Sequence, residues 1–208
     1  MPNKISAETC ELFNIPFFQF AQMKKYCPET IPTTKADYKR EWNHWKETIL
    51  QVSQRLAFPF APPHIEKWCN GWQVRAHFFA YFKYQQYSNS AAIFSVLLNR
   101  RRLSVSLDWH CYRADRSQIT LAQYNQWREN SDMSHYADFD LWRGDESEYA
   151  DYSSVASLMK QGELFNAEQD FYCIGKNLEK QALAEHNLVE FIAKTIQSLQ
   201  PLYERCHR

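Results

Sequence analysis

Residues 91–113, AAIFSVLLNRRRLSVSLDWHCYR, decide the fold. Two apolar runs flank the polar tip Asn99–Arg102, the pattern of a β-hairpin. In the register that this tip sets, Leu98 faces Leu103, Val96 faces Val105 and Phe94 faces Leu107, so six apolar side chains share one side of the pair. Ser95 then lies beside Ser106, and Ile93 beside Asp108, on the other side. A slip of one residue would exchange the two faces, because side chains alternate with a period of two. The second strand therefore carries Leu103, Val105, Leu107 and Trp109 as core, and aligns Ser104, Ser106, Asp108, His110 and Tyr112 as a polar row.

Upstream, Pro16, Pro28 and Pro32 divide residues 6–33 into short helices and turns. A helix capped by Thr34 follows, with Tyr38, Trp42, Trp45, Ile49, Val52 and Leu56 on one face, and it stops before Pro59. Residues 72–84 alternate Val74, Ala76, Phe78, Ala80 and Phe82 against Arg75, His77, Phe79, Tyr81 and Lys83, which predicts a strand. Downstream, Thr120 and Gln123 form a capping box for a helix over 120–130. Residues 135–143 are expected as a strand, 144–152 as an acidic turn region, 154–160 as a short helix ended by Gly162, and 171–174 as an inner strand ended by Gly175. The last helix, from Glu179 to about Gln200, places Leu188, Ile192, Ile196 and Leu199 on one face, with Pro201 at its end. This order predicts a single α+β domain over residues 1–208, with a mainly antiparallel sheet of three to five strands packed by N-terminal, middle and C-terminal helices.

The composition bounds function. Lysine and arginine number 24 and aspartate and glutamate 24, so no overall field gathers polyanions, and nucleic acid is not the expected partner. No stretch reaches membrane-spanning length, and the first thirty residues carry no apolar leader, which predicts a cytoplasmic protein with no membrane partner. The six cysteines are scattered without a Cys-x-x-Cys pair and read as reduced thiols, with Cys111 a small buried hydrophobe beside Leu107 and Trp109. Four separated glycines build neither a dinucleotide fingerprint nor a phosphate loop, so no cofactor is expected. The seven histidines show no metal-ligand spacing; Asp138-x-Asp140 resembles part of a magnesium site, a pattern that solvated strand ends share.

The polar row is the place to look for chemistry. Asp108 and His110, two apart on a strand, point the same way and are the candidate catalytic pair, His110 as base and Asp108 as its orienting carboxylate. Arg75 and His77 on the neighbouring strand, with Ser106, Tyr112, Arg113 and Arg116, are candidate ligand-binding residues, Arg113 or Arg116 holding an anion. The plain alternative is a face sealed under a helix, each polar group paired and chemically idle. Arg100, Arg101 and Arg102 at the hairpin tip could fork onto phosphates, or could simply be solvated.

The run Leu107-Asp108-Trp109-His110, followed by Arg116-Ser117, Leu121 and Tyr124-Asn125-x-Trp127, resembles a small bacterial family of uncharacterised proteins, some of which carry the label glucose-6-phosphate 1-dehydrogenase. The resemblance implies a shared fold and transfers no catalytic residue. Such dehydrogenases are longer, open on a glycine-rich NADP-binding turn and carry an Arg-Ile-Asp-His-Tyr segment, none of which occurs here, so that activity is not expected. The reading that follows is a binding protein for a small polar or anionic ligand. The alternatives are a hydrolase or other enzyme using the His–Asp pair, and a nucleic-acid or protein interaction module presenting the arginine tip. Aromatic residues outside the core leave room for a homodimer interface.

Overall fold

The computed structural model describes residues 4–129, 131–158 and 169–208. The proline-broken N-terminal segment forms α1 (Ala7–Glu11), α2 (Phe20–Tyr26) and a 3-10 turn over Pro28–Thr30 that runs straight into α3 (Ile31–Leu56). Thr34 is therefore inside α3, three residues past its start. Pro32 sits in the first turn, where its missing N–H leaves no helical bond unmade, so the helix begins earlier than the threonine suggests. The strands and helices that follow are β1 (His64–Ile65), β2 (Phe78–Phe82), β3 (Ala92–Leu98), β4 (Arg102–Trp109), α4 (Leu121–Glu129), β5 (Asp140–Arg143), β6 (Ser153–Ser154), α5 (Val155–Leu158), β7 (Tyr172–Glu179) and α6 (Leu188–Arg205).

The class is α+β, and the sheet has seven strands rather than three to five, in the order β1-β2-β3-β4-β7-β5-β6 with every neighbouring pair antiparallel. The excess comes from its two edges, β1 and β6, each two residues long and too short for any periodicity to mark. The β3–β4 register is the one the sequence sets: Leu98 opposite Leu103, Val96 opposite Val105, Phe94 opposite Leu107, Ser95 opposite Ser106 and Ile93 opposite Asp108.

Several boundaries differ from the sequence expectation, each for a physical reason. The strand expected over 72–84 is paired in the ladder only from Phe78, because Val74 N–H is taken by the Phe18 carbonyl and Arg75 N–H by that of Trp68. The strand expected from His135 begins at Asp140, since Asp132 caps a 3-10 turn over Met133–Tyr136 by accepting from Ser134 N–H. Gly175 lies inside β7 and does not end it: a Cβ there would sit 2.2 Å from the Val105 carbonyl oxygen, so glycine permits the close approach of β4 and β7. The final helix starts at Leu188, after a 3-10 stretch over Lys180–Glu185, and continues through Pro201 to Arg205. The capping box holds, with Thr120 N–H donating to Gln123 Oε1 at 2.8 Å and Gln123 N–H to Thr120 Oγ1 at 3.1 Å. The expected ends of two helices, at Asn130 and at Met159 to Gly162, lie outside the described residues.

The core fills one face of the sheet. Phe78 meets Tyr38 and Trp45 of α3 with ring centroids 6.2 and 6.3 Å apart, Phe94 stacks on Tyr203 of α6 at 4.4 Å, and Trp109 meets Tyr124 of α4 at 5.4 Å. Leu103, Val105 and Leu107 are buried in the same cluster as Ile192, Ile196 and Leu199 of α6. Each such side chain contributes roughly 1.5–3 kcal/mol on burial, which fixes the register and with it the side to which the even-numbered residues of β4 point.

Candidate functional site

The even face of β4 is covered, though not by α3. Arg102 is 2% exposed and its guanidinium donates to the carbonyls of Glu148 at 3.0 Å and Ala150 at 2.6 Å, over the ring of Tyr152. Tyr152 stacks on Trp142 of β5 at 4.3 Å. The 148–152 segment thus closes the Arg102 end of the row. Ser104 Oγ donates to Asn177 Oδ1 at 2.5 Å, whose amide donates to Asp140 Oδ2 at 2.8 Å, and Ser106 is buried against Gly175.

Asp108 and His110 do not form a pair. The Asp108 carboxylate accepts from its neighbour Trp109 N–H at 2.7 Å and from the Cys173 thiol at 3.1 Å, and burial pushes its pKa up from the usual carboxylate range. β4 ends at Trp109, so His110 leaves the row and its ring turns toward Tyr81 and Phe79 of β2, at 5.4 and 6.3 Å. Its Nδ1 is buried without a hydrogen-bond partner, and burial, then Arg113, hold the imidazole below its ordinary pKa. The end of the strand also overturns the reading of Cys111 as buried: it lies in a 3-10 helix, Cys111–Arg116, and is exposed. Tyr112, in the same helix, is 99% exposed.

The other sequence candidates separate into engaged and free. Arg75 pairs with Glu66 at 2.7 Å, and His77 Nδ1 lies 2.9 Å from Glu148 Oε2. At the hairpin tip, Arg101 donates to the Tyr149 carbonyl at 2.6 Å and pairs with Asp151 and Glu179, and Arg100 lies over the Tyr149 ring at 4.5 Å. Those groups tie the tip to the segment that covers the sheet. Asp138 is paired with Lys176 at 2.7 Å, and it precedes β5, so it does not join Asp140 on one strand face. Among the described residues no group of three or more His, Cys, Asp or Glu side chains is placed to hold a metal ion, and all six cysteines are free.

What the fold does bring together lies beyond the end of β4. Lys83, just past β2, Ser88–Ser90, and Tyr112, Arg113, Asp115 and Arg116 line one cleft of about 540 Å³. Arg113 and Arg116 are three apart in a 3-10 helix, where side chains at that spacing eclipse and project together. Neither has an ion pair among the described residues. Lys83 is 6% exposed; its ammonium donates to the backbone carbonyls of Ser88 at 3.3 Å and Ser90 at shorter range, and lies over the Tyr81 ring at 5.5 Å. Burial, then the charge of Arg113, lower its pKa to about 8. Behind the cleft, His207 of the C-terminal turn stacks on Tyr87 at 3.8 Å and places Nε2 2.8 Å from Ser90 Oγ, while Nδ1 lies 2.8 Å from the Tyr203 carbonyl. Burial keeps that imidazole below its ordinary pKa, so the neutral ring donates from Nδ1 and accepts the Ser90 hydroxyl at Nε2. The sequence singled out Tyr112, Arg113 and Arg116 but not Lys83. The signal was present as a lysine in the aromatic run FFAYFKY, where a buried strand end has no ordinary use for a charge.

No described helix is long and apolar enough to cross a membrane. A protein-family model matches residues 5–206 of the chain. An uncharacterized protein of Haemophilus influenzae strain Rd is 62% identical over 204 residues, which cover 98% of this chain and 99% of that one. This agreement over almost the whole length places the chain in that small bacterial family, as the Leu107–Trp127 resemblance implied.

Proposed function

We propose that the protein binds a small anionic ligand in the cleft between Lys83 and the 111–116 helix. Lys83 carries the reading: a buried ammonium with no ion pair among the described residues is costly, and a bound anion would compensate it. Arg113 and Arg116, aligned at the mouth and free of ion pairs among the described residues, supply the planar forks that suit a carboxylate or phosphate. Tyr112 stands at the rim with its whole ring available to a ligand. A cytoplasmic setting goes with this reading, since all six cysteines are unpaired thiols.

A His–Asp hydrolase draws no support from the geometry, because Asp108 and His110 face different neighbours. The arginine tip likewise has most of its donors committed to the 148–151 carbonyls and carboxylates.

The test is calorimetric titration with inorganic phosphate at low salt. Wild type is expected to bind, and Arg113→Ala with Arg116→Ala to weaken binding about tenfold or more, near 1.4 kcal/mol. Equal affinity in the double variant would overturn the reading.

A further inference from the structure

We infer that Lys83 is a reactive amine, and that the cleft takes a small anionic aldehyde or 2-oxo acid whose carbonyl carbon forms an imine with Lys83 Nζ. The charge of the substrate rests on the anion-binding reading above; the chemistry rests on the geometry at Nζ. An uncharged amine has two N–H groups and one lone pair. The carbonyls of Ser88 and Ser90 accept both N–H groups, and no third oxygen among the described residues is bonded to Nζ. The lone pair is left over, on a residue that lines the cleft.

The surroundings raise the share of uncharged amine. Arg113, Arg116 and Asp115 face it from the 111–116 helix, His64 from β1, His110 from the end of β4, His207 from the C-terminal turn, and Tyr81 from its own strand. Only Asp115 among them is a carboxylate. Burial, then the charge of Arg113, lowers the ammonium to a pKa of about 8, at which pH half of the molecules carry the nucleophilic form.

The step balances without an oxidant or reductant. The Nζ lone pair adds to the carbonyl carbon and the C=O π pair moves to oxygen, which takes a proton as nitrogen gives one up. Loss of that oxygen as water then forms the C=N bond, so one amine and one carbonyl give one imine and one water. Arg113 and Arg116 would hold the substrate carboxylate at the mouth while its carbonyl reaches Nζ.

Glyoxylate with sodium borohydride at pH 8, followed by peptide mass mapping, tests the step. Lys83 should gain the mass of glyoxylate less one oxygen about tenfold faster than the exposed Lys39, given its larger free-base fraction. Lys83→Arg should abolish the adduct at that peptide. Arg113→Ala with Arg116→Ala, both on the surface, should slow labelling by glyoxylate about tenfold more than labelling by the uncharged propanal, which feels only the loss of the Arg113 charge beside the Lys83 amine. If phosphate binds wild type but Lys83 is labelled no faster than Lys39, the imine is overturned and the anion site stands. If Lys83 is labelled selectively by both reagents, loss of the two arginines slows both equally, and phosphate does not bind, the anionic substrate is overturned and the reactive amine is supported.

Discussion

Two arginine clusters, eleven residues apart in the chain from Arg102 to Arg113, have opposite fates. Arg101 and Arg102 at the hairpin tip spend their donors on the carbonyls of Glu148, Tyr149 and Ala150 and on Asp151 and Glu179. Arg113 and Arg116, on the helix after β4, have no ion pair among the described residues and line a cleft with a buried lysine. In sequence both clusters were candidates, the tip for phosphates or for plain solvation, and Arg113 or Arg116 for holding an anion. The comparison shows that a cation's availability is set by which backbone oxygens the fold brings to it. The tip arginines hold a segment over the sheet, whereas the helix arginines can hold a ligand.

The comparison can be broken most directly at Arg102. Arg102→Met removes a buried guanidinium, leaves the Ala150 carbonyl without its donor and the Glu148 carbonyl with Asn99 Nδ2 alone, so unfolding in urea should show a loss of about 3 kcal/mol or more. A loss below about 1 kcal/mol would mean that the tip is not a clamp.

Lys83 sharpens the other side. Its folded pKa of about 8 lies below the ordinary 10.5, so between these values the unfolded chain binds more protons than the folded one, and stability from this group rises with pH. The stability of wild type relative to Lys83→Met should therefore improve from pH 8 to 10.5 by on the order of 2 kcal/mol. A flat difference across that window would show an ammonium as well solvated as any on the surface.

Asp108 gives a smaller effect of known sign. Its folded pKa is raised, so its favourable contribution is complete only at low pH and is lost as pH rises through the unfolded and then the folded value. Asp108→Asn keeps an oxygen for Trp109 N–H and the Cys173 thiol and removes the buried charge, so at pH 7 the urea midpoint should stay or rise, by up to about 1 kcal/mol. A clear fall would reveal a charged carboxylate with a cationic partner. Smallest of all, Arg113→Ala and Arg116→Ala should each change stability by less than about 0.5 kcal/mol, because neither makes an ion pair in the described structure.

How far the site was legible follows from the same physics. The β3–β4 register was readable, since alternation and a short tip allow one pairing that buries six apolar side chains. Thr120 and Gln123 were readable because their bonds span three residues. The polar row was half readable: its direction was correct from Ser104 to Asp108, but the strand stops at Trp109, and nothing local marks that His110 turns away to Tyr81. β1 and β6 escaped notice because a two-residue strand exists only by virtue of its partner.

The sequence by itself determined the α+β class, the central hairpin, its core side and the helix cap, all properties of residues a few positions apart whose side-chain period states which way they face. Only the tertiary structure decided which charges are free. Arg102 is satisfied by a carbonyl 48 positions away, Ser90 by a histidine 117 positions away, and Lys83 is left with two carbonyls and no carboxylate. The physical reason is that apolar burial is additive and locally patterned, whereas the satisfaction of a buried charge depends on a few oxygens that distant parts of the chain supply.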